Sequence, residues 1–230
     1  MDLNKRILMK SKSIDWTKQF VELCIVFIGI TMAFMLNNWR EDYKSRQLEQ
    51  KYLIGFHEDI VHDDTELGIV ISANAKKMVR AKNTIAAIKA GHLTTDSALE
   101  IFGDMVQMHL FFSKANTYES IKNSGNLNII VDYDLKEELI SYNQSFESKK
   151  LQEDYYKLYI SNYVVPFVYQ NMDFLNQKIV HKNTIDDFAF HNLVLGYYQL
   201  LTQLLENYED LNKKSSKLKL ILNSELNTKS

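Results

Sequence analysis

The sequence predicts an all-α protein in which a single N-terminal transmembrane helix continues into a long amphipathic helix and then into a helical bundle domain. Three observations carry this reading. Seven glycines and one proline in 230 residues fall far below the roughly 12% of an average protein, and tight turns, Greek keys and phosphate-cradling loops all need those residues. One stretch, residues 20–36, reads FVELCIVFIGITMAFML with a single charge, Glu22. Most of the remaining chain spaces its apolar residues by three and four, the period of a helix with one buried face.

The apolar stretch is long enough to span a bilayer. Trp16 and Trp39 bracket it and would lie roughly 35 Å apart along a helix, which suits aromatic rings at opposite headgroup layers, with Asn37 and Asn38 marking the polar exit. Glu22 sits about a turn inside one interface, within snorkelling reach of water. Gly29 and Ala33 form a small-xxx-small pair that would let two such helices approach closely. The apolar core exceeds the 7 to 15 residues of a cleavable signal, and no A-x-A site precedes the polar break, so an uncleaved signal anchor is expected. Lys5, Arg6, Lys10, Lys12 and Lys18 slightly outweigh Arg40, Lys44, Arg46 and Lys51. The positive-inside rule then places the N-terminus in the cytoplasm and the main domain outside, the arrangement of a single-pass bacterial inner-membrane protein with a periplasmic domain. The domain plan is a basic tail over 1–18, the transmembrane helix over 19–39, the bundle over 40–222 and a polar tail over 223–230.

Beyond Arg40 the helix is read as running on to Gly91, which is placed to end it. Leu53, Phe56, Ile60, Leu67, Val70, Ile71, Met78, Ala81, Ile85 and Ile88 form its apolar stripe. Gly55 and Gly68 interrupt that stripe, each at a cost of up to about 1 kcal/mol against alanine. A second helix starts after Thr94 or Thr95, runs through Leu99, Phe102, Met105 and Val106, and fades near Phe111. A third, over 115–123, ends at Gly125, a residue suited to positive φ. Residues 126–131, NLNIIV, read as a buried connector of undecided type. Asp132 or Asp134 caps a fourth helix with Leu135, Leu139, Tyr142 and Phe146 on one face, continuing through Tyr155, Tyr156 and Tyr159 to a kink or break at Pro166. The last helix has the clearest pattern. Phe190, Val194, Tyr197, Leu201, Leu204, Tyr208, Leu211, Ser215, Leu218 and Leu222 make the seam of a coiled coil or bundle helix, while Leu193, Leu200 and Leu205 add a second face. The lysines of 213–219 read as a solvated helix end.

Chemistry is sparse. A formal charge of −2 gives no general attraction to nucleic acid, and a lone cysteine, Cys24, excludes an intrachain disulfide and a thiolate-rich metal site. The densest ionisable cluster is His57, Glu58, Asp59, His62, Asp63 and Asp64. Its histidines stand five positions apart, about 140° around a helix, so they do not share a face. Glu58 and His62 do, yet the cluster as a whole reads as the solvated side of an amphipathic helix. His92, His109, His181 and His191 have no partner at ligand spacing. Hydrolase, Walker and dinucleotide motifs do not occur, so no enzyme activity and no cofactor are expected. Tyr155, Tyr156, Tyr159, Tyr163 and Tyr169 either line a pocket or pack a core.

Two stretches, LCIVFIGITMAFMLNNWRED followed by YLIGFHEDIVHD, and TYESIKNSGNLNIIVDYDLKEELISYNQSF, resemble the signature of an uncharacterised bacterial family, domain of unknown function 6090, found widely in Bacteroidetes. The resemblance implies a membrane location and a helical domain, and it brings no activity. It draws attention to the Asn37-Asn38-Trp39 exit and to the Ser124-Gly125 turn. Ser124, Gly125 and Asn126 are thereby a candidate recognition turn, since loops carry function more often than helices do. The functional expectation is a membrane-anchored interaction or scaffold protein, its partners being the bilayer and either a second copy or an envelope protein. An extracytoplasmic ligand sensor that signals through a membrane partner is the alternative, and a bundle enzyme with a metal held near Glu58 and His62 trails both.

Overall fold

The computed structural model describes residues 16–229; of the basic tail over 1–18, residues 1–15 lie outside them. Helix α1 spans Trp16–Ala90 without interruption, followed by α2, Thr95–Val106, and α3, Asn116–Asn123. After these come α4, Tyr133–Tyr159, α5, Val165–Asn171, strands β1, Met172–Asp173, and β2, Lys178–Ile179, and finally α6, Phe188–Lys229. The expected all-α class is therefore observed, with one long apolar N-terminal helix continuing into a bundle. The chain divides into two compact units between Leu48 and Glu49.

The described part of the first unit is helical throughout. An 18-residue apolar window in α1 has a mean hydropathy of 2.1 and no buried residue, so the helix is long and apolar enough to cross a membrane. Trp16 and Trp39 are both exposed, as are Gly29, Ala33, Asn37 and Asn38. A side chain added at Gly29 would meet nothing within 4 Å. The Trp39 ring lies 6.4 Å from that of Tyr43.

The second unit is built on the predicted stripes. All ten seam residues of α6, from Phe190 to Leu222, are buried, and so are Leu53, Phe56, Ile60, Leu67, Val70 and Ala81 of α1. They meet Leu135, Leu139, Tyr142 and Tyr156 of α4 in one core. Phe102 lies 5.2 Å from Phe190 and 6.1 Å from Phe167, edge-on and tilted, so aromatic geometry fixes how α2, α5 and α6 meet.

Helix ends follow local chemistry. Thr94 Oγ1 accepts from the Ser97 amide and starts α2, and Asp132 Oδ1 accepts from the Leu135 amide at 2.9 Å and starts α4. Gly91 and Gly125 both take positive φ, at 67° and 70°, which is why glycine ends α1 and α3. Helix α3 has no capping side chain of its own at Ala115. Its Thr117 amide donates instead to Asp59 of α1 at 2.8 Å.

Several expectations change. Helix α2 ends at Val106 and does not reach Phe111, because Lys77 of α1 takes up the carbonyls of Asp104 and Gln107. The connector over 126–131 is a 3₁₀ turn, Asn126–Ile129, in which Ile130 is buried while Val131 is exposed. No break occurs at Pro166. A π-helical turn, Ile160–Val164, joins α4 to α5, with the Val165 amide donating to the carbonyl of Ile160 and Val165 itself in α geometry. A widened turn relieves the clash between a proline ring and the carbonyls of the preceding turn, so the chain stays helical. The β1–β2 hairpin pairs Met172 with Ile179 and Asp173 with Lys178. Its turn holds no glycine; Gln177 adopts φ 48°, so the usual turn signal is absent from the sequence.

Candidate functional site

The acidic cluster on α1 is the largest departure from the sequence reading. Asp59 and Asp63 are buried, not solvated. Asp63 accepts hydrogen bonds from Ser113 Oγ at 2.6 Å, the Lys114 amide at 2.7 Å and Tyr142 Oη at 2.9 Å. Glu49 accepts from the Val131 amide at 2.9 Å, and Asn74 Nδ2 donates to the His109 carbonyl at 2.8 Å. Asp63 and Asn74, with Lys77 on Gln107 and Asp59 on Thr117, hold residues 107–117 as a strap running antiparallel to α1. Eighteen residues of helix rise roughly 27 Å, and ten residues of nearly extended chain cover about the same. Backbone groups of a segment with little regular structure are thus satisfied by helix side chains.

Asp64 pins α6 in the same manner. It accepts from Ser215 at 3.2 Å and Ser216 at 2.6 Å, and pairs with Lys219. Burial opposes its charge, but the Lys219 and Ser216 hydrogen bonds win and hold it below the usual carboxylate range. The lysines of 213–219 are accordingly not a plain solvated end: Lys214 donates to Ser145 at 2.7 Å and Lys217 to Glu138 at 2.6 Å. Two groups carry the cost of burial. Desolvation pushes Lys77 down to about 8, against support from Asp104, and it raises Glu153, whose Oε1 accepts from Tyr208 Oη at 2.7 Å.

The candidate recognition turn is a tethered helix end. Ser124 caps α3 with its amide bonded to the Ser120 carbonyl, Gly125 supplies the left-handed residue, and Tyr52 Oη lies 3.4 Å from Ser124 Oγ. Hydrogen bonds from Ser124 and Asn126 hold the Tyr52 phenol below its ordinary range. Glu58 and His62 line an open concavity of about 520 Å³ on α1 with Lys114 across it, where a lysine ammonium opposes a cation. Among the described residues no group of three or more His, Cys, Asp or Glu side chains is placed to share a metal.

Two further hollows are lined by described residues. One, about 370 Å³, lies between the end of α1 and the start of α2 and is lined by polar groups including Arg80, Asn83, His92, Ser97 and Glu100. Arg80 is held by a two-point pair with Asp104, which fixes its guanidinium at the wall. The other, about 460 Å³, is an open groove whose lining includes Tyr159, Tyr163 and Phe167 on one wall and Phe188, Asn192 and Leu193 on the other. Tyr159 Oη donates to the Leu193 carbonyl at 2.9 Å, and its ring lies 5.7 Å from that of Tyr163. Burial pushes the Tyr159 phenol up to about 12. Gly196 makes this approach possible, since a Cβ there would stand 2.4 Å from Tyr159 Oη.

The tyrosine stretch is therefore both core and groove. Tyr156 is buried, Tyr159 and Tyr163 line the groove, and Tyr155 and Tyr169 are exposed. The far wall of the groove lies outside the tyrosine stretch and has no motif; a glycine inside the strongest heptad pattern was the one available signal. No family model, curated protein or solved structure matches the chain.

Proposed function

We propose that this chain is a single-pass membrane-anchored protein of domain-of-unknown-function 6090 type, whose helical bundle acts as an interaction or scaffold module. The observation that carries the reading is α1 itself. No residue of its apolar window is buried, and an unpartnered apolar helix of this length has a bilayer as its natural solvent. The same helix continues into a bundle held together by polar clamps. Basic residues ahead of the apolar segment support a cytoplasmic N-terminus and a periplasmic bundle at the inner membrane of a bacterium. Gly29 and Ala33 would serve helix packing, with Trp16, Asn37, Asn38 and Trp39 at the interfaces.

Alkaline carbonate extraction tests the anchor. The full chain should stay with the membranes, and a Val26→Asp, Ile30→Asp variant should be released. Recovery of the unmodified chain in the supernatant removes the reading. A C-terminal alkaline phosphatase fusion should be active, and an inactive fusion reverses the orientation.

The polar hollow beside Arg80 favours a second reading, a ligand-sensing domain that signals through a membrane partner. Small polar solutes would then raise the melting temperature, and Asn83→Ala should abolish the shift. A screen without any stabilising solute removes this alternative.

A further inference from the structure

We propose that the polar hollow between the end of α1 and the start of α2 binds a free amino acid, with the ligand's carboxylate on Arg80 and its ammonium on Glu100. The proposal rests on the ligand-sensing reading above and names the ligand class of that hollow. Its two walls carry charges of opposite sign, Arg80 on α1 and Glu100 on α2, with histidine counted neutral at pH 7. Asp104 stands one turn beyond Glu100 along α2, about 6 Å of rise, and it grips Arg80 through Nε and Nη2. The guanidinium is thereby held about a turn away from the Glu100 carboxylate. Among the described residues no ion pair joins Arg80 to Glu100, yet Glu100 is near enough to favour the charged guanidinium.

Both charges keep capacity for a ligand. Asp104 takes the Nε and Nη2 edge of Arg80, and the Nη1 hydrogens have no partner among the described residues. Glu100 is exposed and, among the described residues, accepts no hydrogen bond and forms no ion pair. A lone carboxylate or phosphate entering the hollow would meet Arg80 but stand against Glu100 and Asp104, and a lone cation would meet Glu100 but oppose Arg80. A molecule that carries an ammonium and a carboxylate a few bonds apart answers both walls. The rest of the lining is suited to its side chain. Asn83 on α1 presents an amide, and at the start of α2 Ser97 Oγ accepts from Thr94 Oγ1 at 2.9 Å, which leaves the serine's own hydrogen to donate. These groups favour a polar side chain, such as that of serine, asparagine or glutamine. A volume of about 370 Å³ lies at the small end of ligand sites and admits a molecule of that size.

Thermal shift and calorimetry on the full chain in mild detergent test the assignment. At least one of serine, asparagine and glutamine at millimolar concentration should raise the melting temperature, by mass action on the folded state. Its N-acetyl form, which lacks the ammonium, and its amide form, which lacks the carboxylate, should each bind roughly tenfold or more weakly, the loss of one charge-assisted contact. Glu100→Gln alters an exposed side chain and strands no buried donor. It should weaken the free amino acid by a similar factor and should not weaken the N-acetyl form. Amino-acid binding that Glu100→Gln leaves intact overturns the proposal, as does equal binding of the acetylated or amidated form. If only solutes of another class stabilise the chain, such as sugars or dicarboxylates, the amino-acid assignment fails while the sensing reading stands. If no solute shifts the melting temperature, both fail.

Discussion

At the scale of single residues, glycine separates into two populations. A Cβ at Gly196 meets Tyr159 Oη at 2.4 Å and one at Gly55 meets Thr117 Oγ1 at 2.8 Å, whereas Gly68 and Gly103 have open space around them. Gly196→Ala should therefore cost about 1–3 kcal/mol by overpacking, and Gly68→Ala should gain up to about 1 kcal/mol from helix propensity alone, both read from urea midpoints. Neither role was legible in the sequence, because the helical pattern around all four positions is alike and only the neighbour across the interface differs. Lys77 makes a second residue-level prediction. Folded, it binds its proton less tightly than the unfolded chain does, since burial lowers it from 10.5 to about 8. The unfolded state therefore holds the extra proton between those values, and stability contributed by this residue rises with pH through that window. A urea midpoint that climbs from pH 8 toward 10 in wild type, and stays flat in Lys77→Met, is the expected outcome.

At the scale of elements, the strap over 107–117 is where sequence and structure part. Stripes on α1, α4 and α6 were legible because burial of apolar side chains writes a period into the chain. The strap writes none. Its anchors are Asp59, Asp63, Asn74 and Lys77, polar residues that look like a solvated helix face until the backbone groups they satisfy are seen. Removing one should be costly, because it strands donors in a dry interior. Asp63→Ala, which leaves Ser113, the Lys114 amide and Tyr142 without their acceptor, should cost about 1–3 kcal/mol, the penalty of a stranded buried donor. Hydrogen exchange offers a more local reading. The amides of Lys114, Thr117 and Val131, although outside helical hydrogen bonding, should exchange slowly in wild type, and that of Lys114 should exchange far faster in Asp63→Ala. Rapid exchange of the Lys114 and Thr117 amides in wild type would show that the strap is not held.

At the scale of the whole molecule, the division between the two units falls inside one helix, so an exposed apolar stretch gives way to a buried stripe without a change of secondary structure. The apolar unit was legible from hydropathy, and the bundle from its heptads. The groove was not, because its two walls come from residues 159–167 and 188–196, the first containing a π turn and the two being joined through a hairpin whose turn carries no glycine. Order of synthesis gives the polar clamps a further meaning. Asp59, Asp63 and Asp64 are made some 50 residues before the loop donors that cover the first two and some 150 before the α6 donors of the third. Until then water must hydrate them, so the nascent helix carries its own solubility through the interval. Asp59 and Asp63 receive their cover from residues 113–117, whereas Asp64 waits for α6, so the clamps on one helix close in two stages.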